Sequence, residues 1–301
     1  MTLERKALRP MQTRTVDANG FRFAVDESGE GDHLALCLHG FPESRFSWRF
    51  QLPLLAEMGY RAWAPDLRGY GETEPKPREV KAYLVDRLME DVAALIDASG
   101  AKKVTLIGHD WGAGLAWTFA ANKVRPLERL VIMNVPHPAV ISAQLRTNKA
   151  QRKKSWYIFF FQLPGAPEWM LTANDGRGIR RAFFDMARDK TNFGPAVLER
   201  YAKDAQRPGA IRGMVNWYRA AVRLQGKLAG PWEVIETPTL IIWGEEDAAL
   251  GVELLDGTED YVRDLTIHRL PGVSHWVQQE APQKVNPILR EWLAAPRRSL
   301  P

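Results

Sequence analysis

The chain has 301 residues, 45% of them hydrophobic and 26% charged, and its 41 Lys and Arg against 36 Asp and Glu leave a formal net charge of +5. That length suits one large α/β domain, or one domain with a sizeable insertion, and the composition is that of a folded globular protein rather than a disordered or fibrous one. The single cysteine, Cys37, excludes a disulfide framework and fits a reducing compartment, read here as the cytoplasm.

The amino-terminal stretch MTLERKALRPMQTRTV is charged and lacks the apolar core of a signal peptide. No apolar run approaches the roughly 20 residues of a spanning helix. Next come two alternating segments, TRTVDA and FRFAVDE, joined by Asn19-Gly20, a strong signal for a β-hairpin. Short buried-strand runs then alternate with helical stretches: LALCL (34–38), RAWA (61–64), VTLI (104–107), LVIM (130–133), TLII (239–242) and TIHRL (266–270). Between the second and third of these, Leu84, Val85, Leu88, Met89, Val92, Leu95 and Ile96 recur at helical spacing, and Gly100 follows as a stop. This alternation predicts a mostly parallel, twisted sheet flanked by helices.

The rhythm breaks after Pro136-His137-Pro138 and resumes at Thr239. The stretch between is rich in Trp, Tyr, Phe, Arg and Met and reads as helix. The predicted organisation is therefore a core over 1–139, an all-helical cap over 140–230, and the rest of the core over 231–301. A cluster of basic residues in this segment, Arg146, Lys149, Arg152, Lys153 and Lys154, reads as a solvated helix face, and elsewhere the basic residues are scattered among acids. No nucleic acid or membrane is expected as a partner. No zinc spacing, Walker loop or EF-hand loop is present, and Gly112-Ala113-Gly114 is too short for a dinucleotide fingerprint, so neither a metal nor a cofactor is expected.

The chemistry gathers at the carboxyl ends of the predicted strands. VTLI runs into Gly108-His109-Asp110-Trp111-Gly112 and then into helix-forming residues. This is the pattern of a nucleophile elbow, in which small residues flank a nucleophile on a strained strand-to-helix turn. The usual serine is replaced by Asp110. His39-Gly40-Phe41-Pro42-Glu43 follows the first parallel strand, Trp243-Gly244-Glu245-Glu246-Asp247 the fifth, and Pro271-Gly272-Val273-Ser274-His275 the sixth. Nucleophile, acid and histidine thus occur in the chain order of α/β-hydrolase triads. A carboxylate with an ordinary pKa near 4 is already ionised at neutral pH. It is a poor nucleophile toward esters and amides, but adequate for displacement at an sp³ carbon bearing a leaving group or part of a strained ring.

HGFPESRFSW (39–48), DLRGYGETEP (66–75), GHDWG (108–112), WGEED (243–247) and GVSHWVQQE (272–280) resemble the epoxide-hydrolase branch of the α/β-hydrolase superfamily, from about residue 12 to 294. The resemblance implies Asp110 as nucleophile, His275 as base, Asp247 as its orienting acid, and the backbone N–H groups of Phe41 and Trp111 as oxyanion hole. Asn134 and Val135, at the alternative acid position after the fourth parallel strand, are not acids. The segments 156–165 and 216–219 resemble the two cap segments that carry ring-opening tyrosines, which implies that role for Tyr157 and Tyr218. His109 is read as packing, as are Tyr70, Tyr83, Tyr201 and Tyr261. Phe41, Trp111, Trp156, Phe161 and Trp217 are the expected substrate contacts, in a pocket suited to a small apolar epoxide.

The alternative from the same branch is a haloalkane or haloacid dehalogenase. Haloalkane dehalogenases similar to this chain usually carry a halide-binding asparagine where Phe41 stands. Fluoroacetate dehalogenases place arginines beside the nucleophile, where this chain has Trp111 and Gly114. A non-catalytic receptor on the same fold has no need of the nucleophile, the histidine, the acid and both tyrosines. The oligomeric state is expected to be monomer or homodimer.

Overall fold

The protein is described from a computed structural model, which covers residues 11–224 and 232–296. It begins with the expected hairpin, β1 (Gln12–Ala18) and β2 (Phe21–Ser28), paired antiparallel. The turn residues Asn19 and Gly20 have φ of 47° and 77°, the two positive values that a two-residue turn matched to strand twist requires. The six predicted parallel strands follow as β3 (His33–Leu38), β4 (Arg61–Pro65), β5 (Lys103–His109), β6 (Arg129–Met133), β7 (Thr239–Gly244) and β8 (Leu265–Leu270).

The eight strands form one sheet in the order β1-β2-β4-β3-β5-β6-β7-β8, parallel from β4 to β8. Its central strands are buried on both faces. In β3, Leu34, Leu36 and Leu38 join one core while Ala35 and Cys37 join the other, and in β5 Leu106 and Ile107 divide the same way. This explains why these strands read as unbroken apolar runs. β8 departs from expectation: it is the edge strand, and Thr266 to Arg269 are partly or fully exposed.

Helices cover both faces: α1 (Gln51–Glu57), α2 (Val85–Ser99) and α3 (Trp111–Ala121) in the first half, α10 (Val277–Glu280) and α11 (Pro282–Ala294) at the end. α2 ends as its sequence predicts, on Gly100 in a left-handed conformation (φ 62°). Numbered in chain order, six helices stand between β6 and β7: α4 (Pro138–Thr147), α5 (Lys149–Lys154), α6 (Trp156–Phe160), α7 (Ala166–Met186), α8 (Pro195–Gln206) and α9 (Ala210–Arg223). α7 is interrupted at Ala173–Gly176 by non-helical backbone. The insertion starts at Pro138, two residues before the expected boundary, and its expected end at 230 lies outside the described residues. It is tied to the core by Arg49, which donates to Gln279 Oε1 (2.7 Å) and the Asn192 carbonyl (3.2 Å), and by the indole N–H of Trp217, which donates to the Arg68 carbonyl (3.0 Å). Among the described residues no helix is long and apolar enough to cross a membrane.

The turn from β5 into α3 is tightly packed against β3. A Cβ on Gly112 runs into the carbonyls of Leu38 and His39, and one on Gly108 meets the Gly112 carbonyl at 2.5 Å. Gly112→Ala therefore forces backbone apart between α3 and β3. It is expected to cost about 1–3 kcal/mol, as overpacking of a tight interior does. Thermal unfolding should show a melting temperature lowered by several degrees, and an unchanged one contradicts the close approach.

Candidate active site

The elbow places Asp110 at φ 48°, ψ −123°, a conformation that L-residues rarely adopt. Strain of this kind persists only where the surroundings enforce it. Here the missing Cβ of Gly40 leaves room for it: a Cβ there would overlap Asp110. The carboxylate projects from the carboxyl edge of the sheet, where open α/β folds place their ligands. Its side chain is 15% exposed. The N–H of Phe41 donates to Asp110 Oδ1 at 2.7 Å. Trp111 opens α3, so its N–H is one of those without a partner inside the helix.

His275 arrives from the loop after β8 and Asp247 from the loop after β7. His275 Nδ1–H donates to Asp247 Oδ2 at 2.7 Å, and His275 Nε2 faces Asp110 Oδ2 at 3.5 Å. Asp247 is fully enclosed and accepts from the N–H groups of Ala249 (2.8 Å) and Leu250 (2.9 Å). Burial works against the imidazolium form of His275, but the charge of Asp247, then hydrogen bonding to Asp110 and Asp247, outweighs it and holds the pKa well above the usual histidine range. Burial likewise opposes ionisation of Asp110 and Asp247, yet His275 brings both below the ordinary aspartate value. His109 and Phe41 N–H add to this at Asp110, and Asn134 and Leu250 at Asp247.

Across from Asp110 the insertion contributes rings. Tyr157 and Tyr218 stand with centroids 5.9 Å apart, nearly perpendicular. Burial first, then the negative charge of Asp110, pushes both phenols far above their ordinary pKa. Tyr218 packs edge-on against Trp111 (4.9 Å), Phe41 (5.2 Å) and Phe161 (4.8 Å), so an aromatic wall spans core and insertion. Trp217 is buried against Trp111 and Tyr70 and backs this wall. Trp156 is not brought there. It is 59% exposed and its ring contact is with Phe160, because on α6 it lies on the side opposite Phe161. The structure does not bring this expected substrate contact to the aromatic wall.

Four residues carry more than the sequence reading gave them. Asn134, dismissed because it is no acid, donates through Nδ2 to Asp247 Oδ2 (2.8 Å) and accepts from Gly244 N–H (2.8 Å). It fixes the acid from the neighbouring strand end. His109, read as packing, has both ring nitrogens on oxygen acceptors: Glu43 Oε2 and the His275 carbonyl, each at 2.8 Å. Glu43 is the hub of that network. It is fully buried and also accepts from Gly40 N–H (2.7 Å), Gln278 (2.8 Å) and Gln279 (2.7 Å). The acid in HGFPE and the histidine in GHDWG were visible as a possible pair, but no spacing rule connects residues 66 positions apart. Tyr70, read as structural, has a buried hydroxyl with no hydrogen-bond partner among the described residues. Burial first, then Asp110, raises its pKa too.

No group of His, Cys, Asp and Glu among the described residues is arranged to hold a metal. A carboxylate in the elbow of a doubly covered parallel sheet, met by a histidine and a second acid, is the construction of an α/β hydrolase. Residues 36–282 match the family model described as the alpha/beta hydrolase fold. The chain belongs to that superfamily and, within it, to the epoxide hydrolase family. Epoxide hydrolase 4 of Mus musculus is 38% identical over 283 residues, spanning 91% of this chain and 77% of its own. The AB hydrolase superfamily protein YfhM of Bacillus subtilis is 36% identical over 279 residues, spanning 92% and 96%. A mutant epoxide hydrolase from Bacillus megaterium superposes with a TM-score of 0.86 at 34% identity, covering 94% of this chain and all of that one.

Removing the hub tests the network. Glu43→Ala strands the donors of His109, Gln278, Gln279 and Gly40 in the interior, and each buried polar group left without its partner costs about 1–3 kcal/mol. Urea unfolding is expected to show that loss. A variant within 1 kcal/mol of the parent, by this approximate scale, contradicts the assignment.

Proposed function

We propose that the protein hydrolyses an apolar epoxide to a vicinal diol through a covalent ester on Asp110. The observation that carries this reading is one juxtaposition. An ionised carboxylate sits in the elbow beside His275 and a backbone donor, and two phenols, the buried Tyr218 and the partly buried Tyr157, face it. In support, one solved Bacillus megaterium epoxide hydrolase, at a TM-score of 0.86 and 34% identity, is complexed with its product, (R)-3-[1]naphthyloxy-propane-1,2-diol.

Asp110 attacks a ring carbon from the side opposite the C–O bond that breaks. The departing oxygen becomes an alkoxide, a strong base, and requires a proton or a strong hydrogen bond as the bond breaks. Tyr157 and Tyr218 supply it. Their raised pKa values keep both protonated at neutral pH, so each remains a donor. A halide leaving group has no need of a proton, which is why the paired phenols favour an epoxide over a haloalkane. Phe41, Trp111 and Phe161 line an apolar space that selects an aryl or alkyl substrate.

The second half hydrolyses the ester. His275 takes a proton from water, which adds to the carbonyl carbon of the ester. The N–H groups of Phe41 and Trp111 hold the oxyanion that develops on Asp110; collapse expels the diol as His275 passes its proton to the departing oxygen, and the second water proton leaves Asp110 as a carboxylate and re-protonates the tyrosine that gave up its own. Removal of one such donor typically costs about 10²–10³ in rate. His275 must be neutral here, although in the free enzyme two carboxylates favour its cation. Esterification solves this: Asp110 loses its charge, one of the two raising influences disappears, and the His275 pKa falls.

The sign of the pH dependence follows. Attack by Asp110 does not need neutral His275 and is flat wherever Asp110 is ionised. Ester hydrolysis speeds up as pH rises through the lowered His275 value. Stopped-flow tryptophan fluorescence separates the two steps, and a hydrolysis rate that falls with rising pH contradicts the scheme. The reaction itself is tested with styrene oxide and, separately, a 1-bromoalkane. Diol without bromide is expected; bromide without diol moves the chain to the dehalogenase reading. Tyr157→Phe with Tyr218→Phe is expected to slow ring opening by about 10²–10⁴-fold. An unimpaired double variant removes the tyrosines from the mechanism.

A further inference from the structure

The outward side of α6 has no role in the reaction. Trp156, Phe159 and Leu163 are 59%, 69% and 50% exposed. Their spacing of three and four residues continues backward to Arg152 and Lys149, both exposed as well. Steps of three and four keep residues on one side of a helix. α5 and α6 are separated only by Ser155, whose φ of −86° and ψ of 13° keep the chain near helical. Lys149, Arg152, Trp156 and Phe159 thus form a single outward row, cationic at its start and apolar at its end, and Leu163 is exposed in the turn just beyond it. At about 1.5 Å per helical residue, the cations lie within roughly 10 Å of the first indole.

The charge around the row is one-sided. From Pro138 to Pro167 the sequence holds Arg146, Lys149, Arg152, Lys153 and Lys154 and no acid, as much positive charge as the net +5 of the whole chain. Lys154 turns inward, with Nζ 3.4 Å from the Asp247 carbonyl, so it does not belong to the solvated face read from the sequence. Lys149, Arg152 and Lys153 remain exposed without a carboxylate partner among the described residues. Glu253 accepts from Asn148 Nδ2, at 3.5 Å. At the apolar end, Trp169 is 73% exposed.

We propose that this row docks the helical insertion onto an anionic lipid surface. Large exposed aromatics grouped on one face call for a partner. Trp, Phe and Leu suit the boundary between headgroups and acyl chains, and adjacent cations suit lipid phosphates. A second copy of the chain fits less well. A two-fold contact sets the cationic end of one row against the apolar end of the other and buries charge without a partner. The sequence reading expected no membrane partner because it looked for a spanning segment. Peripheral docking needs none.

The test uses the full chain and reads vesicle binding, not activity, so it stands apart from the reaction proposed above. The protein is sedimented with phosphatidylcholine vesicles and with vesicles that also contain phosphatidylglycerol, at low and high salt. Binding to the anionic vesicles is expected at low salt and is largely lost at about 1 M salt, where screening acts within roughly 3 Å. Lys149→Gln/Arg152→Gln/Lys153→Gln is expected to weaken partitioning by at least about tenfold. Trp156→Ser/Phe159→Ser should weaken it as well and remove a blue shift in tryptophan emission. A control with the same charge loss elsewhere, Arg87→Gln/Lys102→Gln/Arg263→Gln, should bind like the parent. All changed side chains are exposed, and circular dichroism checks that each variant folds. No preference for anionic vesicles overturns the proposal, and so does equal loss in the control. A dimer by light scattering that Trp156→Ser/Phe159→Ser dissolves, without vesicle binding, assigns the face to a second copy instead.

Discussion

The structure depends on holding one carboxylate where a carboxylate is expensive. Asp110 combines a positive φ with near-complete enclosure, and each alone costs free energy. Its neighbours are arranged to offset that cost. Gly40 and Gly112 lack the Cβ atoms that would close the space, Phe41 N–H donates to the carboxylate, and His275 lies opposite. His275 is in turn useful only because Asp247 fixes its ring, and Asp247 is fixed by Asn134 and two backbone N–H groups. Loops after four different strands thus converge on a single charge, which is why a parallel sheet with aligned carboxyl ends is the scaffold.

The same logic explains the insertion. A core of this kind leaves the strand ends open, and the reaction proposed above calls for apolar walls and a proton donor there. α6 and α9 bring Tyr157, Phe161 and Tyr218 down onto Phe41 and Trp111, rings from both parts of the chain in one cluster. The Glu43 network extends the linkage: Tyr201 of the insertion donates to Gln279 Oε1 (2.6 Å), and Gln279 donates to Glu43, which holds His109 against the His275 carbonyl. Core, insertion and the loop carrying His275 are fastened through these buried polar groups. Such networks fix one geometry more than they add stability.

Much of this was legible in the sequence because it depends on local rules. The strands β3 to β7 announce themselves as apolar runs since both faces are buried, and Asn19-Gly20 announces its hairpin by the conformations that these two residues tolerate. The elbow is legible because two glycines around Asp110 answer a steric demand. What failed to show was orientation and long-range pairing. Trp156 and Phe161 look equivalent in an aromatic run, yet the helical turn of α6 sends one outward and one inward. Asn134 looked idle because it is not an acid; only the approach of β6 to β7 reveals that it restrains one. β8 read as buried, but edge position is a property of topology, not of its residues.

The most direct test of the account is to stop the reaction between its halves. His275→Gln removes the base of the second step and leaves Asp110 free to attack. Incubated with styrene oxide, this variant should gain the mass of one substrate molecule, and peptide mapping should find the addition on the peptide containing Asp110. An unmodified protein that still turns over, or an adduct on another residue, contradicts the claim that Asp110 is the nucleophile.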